Sequence, residues 1–245
     1  MTRLVRAELL KLTTTRILLW LGLLILALVT LIVSLTAGNN STDELAQAAH
    51  QRDLLTASAV SALVALILGI VVSAGEYAHG TISHTFLVAP VRFRVIAAKL
   101  VAGALAGLGL ALVAEVGAYV LAALWLSGKA APSHLASHAT LQLFGGTLVA
   151  GAIAALIGVG LGAVLRRQTG AIVLALIWLL VGEPLLAIGR AQPYAPGHAI
   201  AAVAVNAGRG SGELLHFWPA TVLGLFYATV LALLGTWVVE RSDVT

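Results

Sequence analysis

The chain has 245 residues, 60% of them hydrophobic and 10% charged, with a formal net charge of +4 and no cysteine; its mean hydropathy is +1.02 and its pI about 9.9. So few polar residues leave a water-soluble domain of this size nothing to cover its surface with, and the missing thiols exclude disulfides, thiolate metal sites and cysteine nucleophiles. The basic balance is met by anionic lipid head groups and requires no nucleic acid.

Thr2 to Arg16 is the first departure from the apolar background. Val5, Leu9 and Leu12 recur at helical spacing as one stripe, with Arg3, Arg6 and Lys11 off it. With Glu8 and Arg16, the segment 1–16 suits either the cytoplasmic head-group plane or a positive flank that sets topology. Six long apolar blocks follow: Ile17 to Ala37, Leu54 to Ala74, Ile96 to Leu126, Leu141 to Leu165, Ala171 to Ile188 and Ala220 to Val239. Each can cross about 30 Å of hydrocarbon at about 1.5 Å per residue, whereas buried core helices are shorter and keep a polar face. The first block exceeds the roughly 7 to 15 apolar residues of a secretory signal and reads as a retained span. The prediction is an all-α polytopic membrane fold with six transmembrane helices, forming a single transmembrane domain over residues 1–245.

Orientation follows from the 14 Lys and Arg residues. With both termini cytoplasmic, Arg3, Arg6, Lys11, Arg16, Arg92, Arg94, Lys99, Arg166, Arg167 and Arg241 stay inside, and only Arg52, Lys129, Arg190 and Arg209 fall outside. The bias is concentrated at the first span, which usually dominates.

Between the second and third spans stand Glu76, Tyr77, His79, Gly80 and Thr81, then Pro90, Arg92, Arg94 and Lys99. Gly80 can break the emerging helix and Pro90 can stop a short second one. Residues 75–95 therefore read as a short helix across the cytoplasmic face, or as a solvated connector whose basic residues obey the topology rule. Within the third span, Glu115 is a carboxylate at a depth that disfavours charge by roughly 2.5 to 3.5 kcal/mol. It is read as a protonated acid bonded to a neighbouring helix, a proton carrier, or a polar lining of a path.

Glu183 precedes Pro184 in the fifth span, where proline should kink or end the helix. Beyond it, segment 190–219 carries Pro193, Pro196 and Gly197, an apolar run from Ala199 to Ala207 too short to cross, and further glycines. Irregular backbone at membrane depth needs protein or water around it, so this is predicted as an outer re-entrant or interfacial element. Gly103 with Gly107, and Gly158 with Gly162, form small faces for close helix packing, first within the chain. His50, His134 and His138 read as loop histidines, and no metal site is assigned. Gly-x-Ser-x-Gly and His-Glu-x-x-His patterns are absent, so no hydrolase is assigned.

The opening Arg6-Ala7-Glu8-Leu9-Leu10-Lys11-Leu12 with Thr14, Thr15 and Arg16, and the later Gly75-Glu76-Tyr77, His79-Gly80-Thr81, Pro90, Arg92 and Lys99, resemble permease subunits of ABC-2 type ATP-binding cassette transporters. The resemblance extends along the chain. It implies that the cytoplasmic element around Glu76, Tyr77, His79, Gly80, Thr81, Pro90 and Arg92 is a coupling helix docking in a cleft of a separate ATPase. It also implies a second permease copy or a paralogue as partner, export as the direction, and a cell-membrane location. The chain has no Gly-x-x-x-x-Gly-Lys-Ser/Thr loop, so it binds no cofactor on this reading; ATP and Mg would belong to the partner. Two alternatives stay open: a proton-coupled secondary transporter using Glu115, and a non-transporting membrane anchor or regulatory component.

Overall fold

The computed structural model describes residues 1–78, 80–82, 91–205 and 214–241. Among these, six helices are long and apolar enough to span a bilayer, and no strand occurs. The chain is an all-α polytopic membrane protein. His79, Pro90 and most of the expected helix between the second and third spans lie outside the described residues, as does 206–213 of the outer segment.

Helix α1 (Thr2–Thr14) precedes the first span, α2 (Ile17–Asn39). Short helices α3 (Thr42–Leu45) and α4 (Ala48–Leu55) lead through a 3-10 turn at Thr56–Ala59 into α5 (Val60–Ala78), and Ala48–Ala78 is the second span. Helices α6 (Arg92–Gly128) and α7 (His138–Leu165) are the third and fourth. The fifth, Gln168–Leu186, joins α8 (Gln168–Ile177) through a wide turn to α9 (Glu183–Leu186). After α10 (Pro196–Val205), the sixth span is α11 (Phe217–Arg241). Six crossings return the chain to the face on which it starts, so α1, the end of α5, the start of α6 and the end of α11 share what is called here the terminal face.

Apolar composition marks only what touches hydrocarbon, and the helices run on to their caps. Helix α6 has 37 residues, about 55 Å at about 1.5 Å per residue. That exceeds the bilayer core by several turns, which lets its first turns carry Arg92, Arg94 and Lys99. At the other end of the bundle, the Ser137 hydroxyl accepts the Thr140 N–H at 3.3 Å and starts α7. Arg16 at φ 54° and Arg166 at φ 53° are non-glycine residues in the left-handed region; the first turns α1 into α2 and the second ends α7.

Helix α7 is the hub. Lipid supplies no hydrophobic drive between helices, so close backbone contact must hold them, and α7 meets its neighbours at small residues. A Cβ on Gly158 would overlap the Leu66 carbonyl of α5, and one on Gly162 would lie 2.9 Å from the Ile70 carbonyl oxygen. Toward α6, a Cβ on Gly103 would stand 2.8 Å from Val159 Cγ2 and one on Gly107 2.8 Å from Ala155 Cβ. Toward α11, Gly160 and Gly235 face Leu231 and Ala163 at 2.7 Å in the same sense. The first span attaches differently: Ile25, Val29, Val33 and Ala37, four apart, are fully buried with Leu110, Ala114, Ala118 and Ala122 of α6. Its other faces, like those of the fifth and sixth spans, are mostly exposed.

The fifth span departs from regular α-helix just before Pro184 and ends two residues after it, at Leu186. A π-helical turn at Trp178–Gly182 precedes Pro184, and the Glu183 N–H reaches back five residues to the Trp178 carbonyl. The widened turn absorbs the proline, and the helix continues to Leu186. Helix α10 buries Ala199, Ile200, Ala202, Val203 and Ala204 against α7 and α11. At ten residues, it is about 15 Å long and does not cross.

Gly158→Val is expected to lower thermal stability in detergent by about 1–3 kcal/mol or to abolish the folded species, because the backbone it meets cannot step aside. Gly109→Ala, whose added Cβ meets nothing within 4 Å, is expected to leave the melting curve unchanged.

Candidate functional site

Four charged side chains from three helices meet at the terminal face. Helix α1 turns the stripe Val5, Leu9 and Leu12 toward the bundle, and Glu8, on that same face, is buried with Leu12. Arg3 and Arg6 remain exposed on the opposite side. Lys11 stands one turn beyond Glu8 and its Nζ donates to Glu8 Oε1 at 2.7 Å. The last turn of α5 supplies Glu76, whose Oε1 accepts from Lys11 Nζ at 2.5 Å. Two turns into α6, Lys99 completes the group.

Lys99 is 1% exposed, and an ammonium with three donors and no water must find three acceptors. It has them: Glu8 Oε2 at 3.0 Å, Glu76 Oε1 at 2.9 Å and the Val72 carbonyl at 3.0 Å. Two cations and two anions thus alternate as a neutral quartet. For Lys11, burial pulls the amine pKa down, but the hydrogen bonds to Glu76 and Glu8 and the nearness of both charges outweigh it and hold the pKa above the ordinary 10.5. A raised pKa means that the stabilisation from Lys11 is whole below pH 10.5 and is lost as pH climbs through the raised value.

Beside the quartet, Tyr77 packs against Ile96 of α6, Ala163 of α7 and Val239 of α11. Gly80 closes α5: its N–H meets the Tyr77 carbonyl at 3.4 Å and the Thr81 N–H meets the Glu76 carbonyl at 2.9 Å. This paired closure requires a left-handed residue, and Gly80 has φ +67°. On entry to α6, Arg92 Nη1 donates to the Val239 carbonyl at 2.5 Å, setting a cation on the negative end of α11. Both flanks of the 79–91 connection are therefore tied to the bundle, one through Glu76 and the other through Arg92.

A second polar centre lies at the opposite end of the bundle. Glu183, 2% exposed, accepts from Trp178 Nε1 at 3.1 Å, from the Gly197 N–H at 2.6 Å and from the His198 N–H at 3.1 Å. His198 Nδ1 lies 2.7 Å from its Oε2. The carboxylate of the fifth span thus satisfies the orphan amides opening α10. Gly197 permits the approach, since a Cβ there would come within 2.7 Å of Glu183 Oε2. Glu115 forms a third centre: 1% exposed, it has the hydroxyls of Ser58 and Thr147 beside it. Those residues lie in the turn before α5 and in the third turn of α7, so Glu115 sits in the half of the bundle away from the terminal face. No three His, Asp or Glu side chains gather as a metal-binding group among the described residues.

Glu8 and Lys11 stand in one segment of the sequence and Glu76 and Lys99 in another, where Lys99 belongs to the polar, family-like stretch after the second span without an assigned coupling role. Nothing local marks Lys99 as buried, because its acceptors come from 91 and 27 positions away. His198 was likewise unmarked; an acid ahead of a proline and a His two residues after Pro196 were the available signal.

Residues 4–182 match the family model described as ABC-2 family transporter protein, well over half of the chain and including the whole quartet. No curated protein sequence matches it.

Lys99→Gln is expected to cost about 3–5 kcal/mol, because the loss of one partner leaves buried carboxylates uncompensated. Arg3→Gln, at an exposed position, should stay within about 0.5 kcal/mol. Thermal unfolding of both variants in the same detergent makes the comparison.

Proposed function

The chain belongs to the ABC-2 transporter family as a multi-pass membrane permease, and we propose that it is half of a transmembrane pair driven by a separate ATP-hydrolysing subunit. ATP and its Mg2+ would bind that partner, and this chain would supply the path and the mechanical link. The second half is another copy or a paralogue, the membrane is the cell membrane, both termini face the cytoplasm, and the direction is export.

One observation carries the reading. Glu76, in the last turn before the 79–91 connection, is ion-paired to α1 through Lys11 and to α6 through Lys99. A push delivered to that connection by an ATPase would reach three helices together, not one. Residues 75–95 serve as the coupling region, with Glu76, Tyr77, His79, Gly80, Thr81, Pro90 and Arg92 in it. Residues 1–16 brace it, through Glu8 and Lys11 inward and through Arg3, Arg6 and Arg16 toward lipid head groups. The basic flanks around this face support its cytoplasmic orientation. Coupling of this kind works only if the ATPase holds the connection differently in its nucleotide states.

A second reading, proton-coupled transport through Glu115, draws on one buried oxygen: among the described residues, Glu115 Oε2 has no hydrogen-bond partner. Glu115→Gln separates the two readings, since it should abolish pH-gradient-driven transport on the second and leave ATP-driven transport intact on the first.

Gentle purification of the tagged chain should recover a near-stoichiometric ATPase carrying a phosphate-binding loop; recovery of the chain alone from several mild detergents would count against the reading. Glu76→Gln and Gly80→Val are expected to lower transport roughly tenfold, within the usual range of coupling energies, with membrane insertion unchanged. Normal transport in both variants would remove the coupling role from this region.

A further inference from the structure

A cavity of about 380 Å3 lies within a single copy of the chain, bounded by α5, α7, the fifth span, α10 and α11. Leu66, Leu161 and Leu231 line its inner wall, and Ile200 of α10 its end. Leu231 stands near the middle of α11, so the space is at membrane depth. Among the described residues, every lining side chain is apolar or aromatic, and the one N–H among them, Trp178 Nε1, is already given to Glu183. Leu63, Leu174 and Trp178, on the second and fifth spans, are 37%, 47% and 43% exposed and form the open side.

These features define the occupant. A polar solute would find no hydrogen-bond partner here and would have to traverse hydrocarbon to enter. An unfilled space of this size forfeits dispersion contacts along its whole wall, and what the medium offers at the open side is the tail of a lipid. At about 30 Å3 per water-sized group, the volume accommodates roughly a dozen methylenes, most of one acyl chain. The end wall is fixed independently, because Glu183 pins the first turn of α10 to the fifth span. We propose that this cavity is a binding site for one acyl chain of a bilayer phospholipid. Its walls among the described residues come from one copy, and it does not depend on ATP coupling.

The test uses the full chain in phosphatidylethanolamine and phosphatidylglycerol vesicles doped with a phospholipid bearing a diazirine at the end of one chain. After irradiation, labelled peptides are mapped by mass spectrometry. Residues 59–66, 174–179 and 196–201 should be labelled several-fold more than the exposed face of α2 at Leu19, Leu23 and Leu31. Ala175→Phe and the milder Ala201→Leu, which fill the space, should reduce cavity labelling to the α2 level and leave α2 labelling as it was. Equal labelling of cavity and α2, or labelling indifferent to both filling variants, overturns the site. Labelling by a free diazirine fatty acid but not by the phospholipid overturns it in favour of a single-chain cargo. The absence of native cysteine permits a further check with Leu63→Cys: disulfide-linked dimers in place of lipid labelling would show that a second copy covers the opening, and would also overturn it.

Discussion

A lysine ammonium sealed from water is the constraint around which the terminal end of this bundle is arranged. Lys99 has no solvent to fall back on, so the positions of α1 and of the last turn of α5 are set by its need for acceptors. The arrangement is directional: an apolar contact tolerates sliding, whereas three hydrogen bonds to one nitrogen fix register and rotation together. Lys11 then ties the same two carboxylates from the solvent side, so the quartet has a sealed cation and a half-exposed one sharing the same anions. What α1 contributes to the protein is therefore its inner face more than its exposed arginines.

The far end of the bundle solves a related problem with the opposite charge. Glu183 is a buried anion that draws its donors from an indole in its own span and from the opening amides of α10. The π-helical turn connects these facts: adding a residue to one turn brings Trp178 and Glu183, five apart, toward the same side, and it also absorbs Pro184. The proline, the acid, the tryptophan and Gly197 thus form one structural unit, whose product is a short helix held against the bundle.

How much of this is legible in the sequence depends on the range of the interaction that decides it. Six spans follow from local apolar length, and α10 from a short apolar run between prolines and glycines, because both are settled within some twenty residues. Gly103 with Gly107 and Gly158 with Gly162, Gly160 between them, are visible as spaced small residues, yet Gly69 and Gly235 make equally close contacts with no motif to announce them. The members of the buried ion group stand out in two separate segments, but their meeting does not: Lys99, next to Arg92 and Arg94, has the look of one more positive residue at a span mouth, and only the folded chain brings Glu8 to it. Glu183 is legible as a helix perturbation but not as an anchor, since its partner segment begins 14 residues later.

The quartet contains as many anions as cations. An uncompensated charge displaced through a membrane potential does electrical work, about 2.3 kcal/mol per elementary charge for each 100 mV crossed. A group of zero net charge shifted as a unit does almost none. The quartet therefore adds almost no voltage dependence to a shared motion of α1, α5 and α6 at this face, and any electrical work in that motion falls to the exposed arginines that flank it.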